Sequence, residues 1–174
     1  MTAGAAWGVL VASAVFETVW AVSSAGVPVD PAREDELRPL TRWLRERGRA
    51  ASAVEFTSAL GALQLASRTA ISATAAYDVV LTPTLAQLPA PVGWFQDAGD
   101  PRAEFDRMIS WTPFTAVYNT SGQPAVSVPL HWSAEGLPVG VQLVGRPADE
   151  ATLLRLSAQL EAARPWRDRH PELW

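Results

Sequence analysis

Cysteine and lysine are both missing from this 174-residue sequence, and histidine occurs only twice. Without cysteine there is no disulfide, no thiol nucleophile and no thiolate metal ligand. All 14 basic residues are arginine; GC-rich coding is the simplest source of that bias, and its chemical consequence appears below. His131 and His170 stand without an accompanying carboxylate cluster. A zinc or iron site needs several converging ligands, so neither a metal nor a cofactor is expected. The formal charge of -4 gives no pull toward nucleic acid or an anionic membrane. There is no G-x-S-x-G elbow, no phosphate-binding Walker sequence, no dinucleotide fingerprint and no H-E-x-x-H.

The longest apolar run, Ala3 to Val22, approaches the length of a membrane span. Glu17 interrupts it and no basic residue precedes it, so a buried helix of a larger core fits better than an anchor or a leader. No membrane partner is expected, and cytoplasmic residence is the default. Hydrophobic residues make up 48% of the chain and charged ones 18%, the balance of a globular protein rather than a disordered one. The length suits one domain or most of one.

Residues 6–22 read as a helix carrying Trp7, Val11, Val15 and Val22 and apolar on nearly every side, which requires a partner surface. A second, amphipathic helix spans about Pro39 to Arg47. Leu40, Trp43 and Leu44 share one face, the arginines lie on a solvated face, and Gly48 stands where a helix ends. Ser52 and Glu55 form the S-x-x-E capping pattern of a long helix to about Ala76, with Phe56, Leu60, Leu63 and Ala70 near one stripe. Tyr77 to Pro83 reads as a buried strand, parallel to its neighbour because a long helix leads into it.

Residues 84–102 form an irregular excursion. It is either a surface wrap pinned by Trp94 and Phe95 or a lid over a site. A short helix over Glu104 to Trp111 follows. The polar loop Asn119 to Pro124 then opens a hairpin, in which Val126, Val128, Leu130 and Trp132 alternate with Ser127, Pro129 and His131. Ser133 to Gly136 makes the turn, and Val139, Val141 and Leu143 alternate on the return. Pro129 needs an edge or a bulge. Asp149 caps a last helix bearing Leu153, Leu156, Leu160 and Ala163, which Pro165 ends.

Ser127, His131 and Asp149 are the residue types of a nucleophilic triad. Four positions along a strand, however, set Ser127 and His131 about 13 Å apart, beyond hydrogen-bond reach. Asn119-Thr120-Ser121 matches the glycosylation acceptor pattern by chance. The expected use of Asn119 is local, as a turn amide satisfying nearby backbone groups.

One stretch carries more than these spacings do. Phe114, Thr115, Asn119, Gly122, Pro124, Ala125, Ser127, Val128 and Pro129, followed by the run Gly136 to Arg146, resemble the C-terminal signature of the amidase signature family. Glu150, Leu153 and Leu154 continue the likeness, and Tyr77 to Thr84 (YDVVLTPT) is similar to an upstream segment of the same family. The resemblance covers about Leu37 to Trp166. Together, the tryptophan-containing opening and TRWLRERG look nearest to the branch of 6-aminohexanoate cyclic-dimer hydrolase-like amidases.

This resemblance implies an α/β fold, a mixed sheet covered by helices. It also implies carboxamide hydrolysis by a Ser–cis-Ser–Lys triad, with a neutral lysine acting through the bridging serine. A chain without lysine cannot hold that triad. Ser23-Ser24-Ala25-Gly26 looks superficially like the family's Gly/Ser stretch but lacks its flanking glycines. Residues 1–174 are therefore expected to be a single C-terminal fragment of an amidase domain, inactive alone, that supplies sheet core and one wall of the substrate cleft. An association with an N-terminal portion, or a homodimer, would complete it. By position in the family pattern, Trp111, Thr112, Phe114 and Thr115 face the cleft, and a neutral Thr112 points to an uncharged or hydrophobic amide substrate. The alternative is a non-catalytic binding or scaffold module that retains the fold's remnant.

Overall fold

The computed structural model describes residues 14–169. Three helices form its first layer: α1 (Ala14–Gly26), α2 (Pro39–Ala50) and α3 (Ala53–Thr74), with a 3-10 turn at Pro31–Glu36 between the first two. Trp7 and Val11 lie outside the described residues. The helix containing Val15 and Val22 continues to Gly26, so the Ser23–Gly26 stretch is its last turn, where Ser24 Oγ donates to the Trp20 carbonyl at 2.8 Å. The surface covering α1 is internal, since it packs on α2 and α3. Its one acid, Glu17, is buried yet bridges Arg47 of α2 (2.6 Å) and Arg102 (2.9 Å).

Two expectations about α2 are corrected. Gly48 does not end the helix, which runs on to Ala50; it is buried against the backbone of α1. Nor are all the arginines of α2 solvated. Arg45 is 3% exposed, and its guanidinium donates to Glu34 and to the carbonyls of Ser24 and Val27, each at 2.7 Å. An arginine enters a core only when its donors are satisfied in this way.

α3 begins as the capping pattern requires. Ser52 Oγ accepts from Glu55 N, and the Glu55 carboxylate accepts from Ser52 N. Leu63 and Ala70 of the expected stripe are buried, whereas Leu60 remains exposed and Phe56 half-buried.

The sheet is antiparallel throughout the described residues, in the order β1 (Val79–Pro83), β3 (Pro138–Gly145), β2 (Ala125–Trp132). β1 is thus not the buried parallel strand expected from the long helix before it. It pairs antiparallel with β3, Leu81 opposite Leu143, and the Leu81 side chain is exposed. The chain reaches β3 only after a long excursion, so the helix-then-strand order says nothing about direction. Pro129 sits in the irregularity between Val128 and His131 on edge strand β2, where a missing N–H costs nothing. Gly136, at φ +80°, closes the hairpin turn.

Alternation divides the sheet into two faces. Val126, Val128, Val141 and Leu143 pack under α6 (Glu150–Ala163) with Leu153, Leu156 and Leu160. On the opposite face, Val80 and Val144 meet Leu63 and Ala70 of α3 and Val117 and Tyr118 of α5 (Ala116–Ser121). Burial pushes the Tyr118 phenol up to about 12. Helices therefore cover both faces, as in the expected α/β architecture.

Candidate substrate-binding cavity

α4 (Pro101–Trp111) completes the arrangement. Pro101 opens it, and Asp100 caps it by accepting from Ala103 N at 2.9 Å. Its Phe105 stacks on Trp20 of α1 and Trp43 of α2, at 5.3 and 5.7 Å between ring centroids. A cavity of about 610 Å³ lies between α1, the start of α2, α4, α5 and the segment before α4. Its walls are mainly apolar, with Phe16, Trp20, Leu40, Ile109, Leu85 and Phe95 among them.

Residues 84–102 make one of those walls. Trp94 and Phe95 pack on Trp111, with ring centroids 4.8 and 5.5 Å away, and the Arg107 guanidinium lies over the Trp94 ring at 4.4 Å while donating to the Trp94 carbonyl. Ala86 N donates to the Trp111 carbonyl at 3.0 Å, so the start and the middle of the excursion are tied to the same residue.

Trp111, Thr112 and Thr115 all line the cavity. Thr112 Oγ1 donates to the Met108 carbonyl at 3.0 Å and Thr115 Oγ1 to the Thr112 carbonyl at 3.3 Å, so both hydroxyl protons are already engaged and each oxygen is left as an acceptor. Phe114 is not part of the lining; its carbonyl accepts from the buried Gln142 Nε2 at 3.4 Å.

Asn119 is where the local reading fails. It lies on α5, exposed, and its side chain lines the cavity rather than bonding backbone in a turn. Gln123 does what was expected of it. Buried just past the left-handed Gly122 (φ +69°), it donates through Nε2 to the Gly145 carbonyl at 3.0 Å.

Sequence reasoning also missed Arg38 and Glu104. They line the cavity as an ion pair of 2.8 Å, with Glu104 7% exposed. Glu104 falls at i-1 relative to Phe105 in a first turn, where an acid is ordinary helix chemistry; only packing reveals its burial.

No triad forms from Ser127, His131 and Asp149. Ser127 Oγ is 2.7 Å from Thr84 Oγ1, above Gly140, while Asp149 caps α6 by accepting from Thr152 N. Among the described residues, no group of three or more acidic, histidine or cysteine side chains is placed to hold a metal ion, and no helix is long and apolar enough to cross a membrane.

The helix-covered sheet, with an aromatic cavity at the end of α4 next to the signature stretch, has the fold of amidase-type hydrolases. The chain belongs to the amidase signature family: the family profile described as Amidase matches residues 24–154. AmiC of Mycobacterium tuberculosis is 39% identical over 145 residues, covering 83% of this chain and 30% of AmiC. The acylamidase of Rhodococcus erythropolis is 38% identical over 96 residues, 55% of this chain and 20% of that protein. The structure of 6-aminohexanoate cyclic dimer hydrolase superposes with a TM-score of 0.81 at 25% identity, covering 97% of this chain and 38% of the hydrolase. The chain thus spans well under half the length of each of these proteins.

Proposed function

We propose that this chain is the C-terminal portion of an amidase, a carboxamide hydrolase, and that it supplies sheet core and one wall of the substrate cleft without the Ser–Ser–Lys triad. The observation that carries this reading is the 610 Å³ cavity with Trp111, Thr112 and Thr115 on its wall, in a chain that contains no lysine. Its size is that of an ordinary small-molecule site. The apolar lining and the neutral Thr112 favour an uncharged amide, in keeping with the likeness to 6-aminohexanoate cyclic dimer hydrolase. Phe114 lies outside this lining, and its carbonyl instead accepts from Gln142 Nε2. The remaining portion of the enzyme associates with this one in a cytoplasmic setting.

The test compares the purified chain alone with the chain co-expressed with the part of AmiC that it does not match. The chain alone should neither hydrolyse a simple aryl amide nor take up a fluorophosphonate label, because loss of the whole triad leaves only weak residual catalysis. Co-expression should restore turnover. Hydrolysis or labelling by the chain alone overturns the proposal. A second reading, a binding module, is favoured by one observation: the cavity is walled by this chain's own helices. It predicts ligand binding by the chain and no turnover in either arm.

A further inference from the structure

Arg38 and Glu104 are the two charged residues that line the mainly apolar cavity. Arg38 precedes the first turn of α2, and Glu104 lies in the first turn of α4, so the pair bridges two elements across one side of the space. Arg38 Nη2 donates to Glu104 Oε1 at 2.8 Å. With its amide oriented to donate to the Gly93 carbonyl, Gln96 also accepts from Arg38 Nη2 at 3.3 Å. Those two contacts occupy one nitrogen of the guanidinium; among the described residues its remaining N–H groups have no acceptor, and only one oxygen of the buried carboxylate has a donor.

We propose that this pair is the recognition end of the cavity, and that it takes a neutral group able both to donate and to accept hydrogen bonds, a carboxamide or a urea, carried on an apolar stem. This rests on the reading of the cavity as a substrate wall and names the class of group held there, intact, away from the bond that is cleaved.

The charge balance supports the choice. The pair is formally neutral. A carboxylate ligand attracted by Arg38 meets Glu104, and an ammonium attracted by Glu104 meets Arg38; both repulsions grow as the ligand expels water. A hydrocarbon end displaces that water and leaves the free N–H groups and the second carboxylate oxygen without partners. A carboxamide offers its carbonyl to the guanidinium and its N–H to the carboxylate at once. The stem then lies among Trp20, Ile109 and Trp111, whose ring faces and methyls offer apolar contact.

The experiment is direct binding to the purified full chain, followed by tryptophan fluorescence and calorimetry, with 4-phenylbutyramide, 4-phenylbutyrate and 4-phenylbutylamine as probes. The amide should bind at least about tenfold more tightly than either charged analogue. Glu104→Gln leaves a net positive end and should reverse the order of amide and acid. Because Glu104 is buried and its variant can fail to fold, Arg38→Gln is the companion. Arg38's side chain is 56% exposed, and its loss should bring the amine level with or ahead of the amide. Equal binding of the three probes, parallel changes for all three in the variants, or no binding at all would each overturn the inference. Those results leave the restoration of turnover by co-expression unaffected, so the two readings fail separately.

Discussion

Gly48 has no room for a side chain. A Cβ there would lie 2.1 Å from the carbonyl oxygen of Ala21 and 2.9 Å from Ala25 Cβ, so the backbone of α2 rests directly on that of α1 at this glycine. Gly48→Ala should therefore lower stability by about 1–3 kcal/mol through overpacking, although alanine is the better helix former by about 1 kcal/mol. Gly61, inside α3 with nothing within 4 Å of its Cβ position, is the control: Gly61→Ala should stabilise by up to about 1 kcal/mol. Urea midpoints at unchanged slope decide both. Opposite signs are expected, and a stabilising Gly48→Ala would mean that the two helices are not in contact there.

At the scale of elements, the 3-10 turn Pro31–Glu36 is bound to α2 by charge rather than by apolar packing, for none of its residues is buried. Glu34 accepts from Arg45 at 2.7 Å and from Arg49 at 2.9 Å. Its carboxyl is held below the usual glutamate range, first by the Arg45 hydrogen bond and then by Arg49. A lowered folded pKa means that the unfolded chain binds the proton first as pH falls. The stabilisation is complete above the unfolded glutamate value, about 4.3, and is lost as pH drops through the lower folded value. Glu55 and Glu135 are shifted in the same direction, the first chiefly by the Ser52 backbone N–H and the second by the Ser133 side chain, so acid sensitivity alone does not isolate the tether. The difference between wild type and Glu34→Gln does. Between neutral pH and about pH 5 the wild type should be the more stable, and below the unfolded value the gap should narrow. Chemical denaturation across that range measures it; a constant gap would mean that the Glu34–arginine contacts do not form in solution.

For the molecule as a whole, burial is uneven. The sheet ends at β1 and β2 among the described residues, and Leu81 on β1, Leu65 on α3 and Leu154 on α6 are 65%, 64% and 70% exposed. An open strand edge beside an exposed leucine is a surface that pairs with another chain. Within an amidase the rest of the protein would cover such surfaces; in the isolated chain self-association should do so. Sedimentation equilibrium should show a mass that rises with concentration. Leu81→Lys, which places a charge on the edge, should weaken association by about tenfold or more, since one buried leucine contributes about 1.5–3 kcal/mol. A concentration-independent monomer would rule this out.

The sequence by itself determined whatever depends on neighbours a few residues away. The Ser52–Glu55 capping box, the Asp149 cap, the hairpin with its turn at Gly136 and the accommodation of Pro129 are all short-range. Backbone φ preferences and local hydrogen bonds settle them before any packing occurs. The family was legible for a related reason, because its signature stretch is a local motif. Tertiary structure alone decided matters between distant residues. Tyr77 to Pro83 carries no mark of its partner's direction, and antiparallel pairing with β3 follows from where the chain returns. A glycine after an amphipathic helix looks the same whether it ends that helix or admits another backbone, and only α1 makes Gly48 the second case. Arg45 and Arg47 are alike in sequence, but the carbonyls of Ser24 and Val27 bury the first. Gln123 takes the role expected of Asn119 because α5 continues to Ser121, which leaves Asn119 on the cavity wall and Gln123 under Gly145. The Arg38–Glu104 pair is separated by 66 positions; no periodicity reaches that far, and the contact exists only because Phe105 docks α4 against α1 and α2.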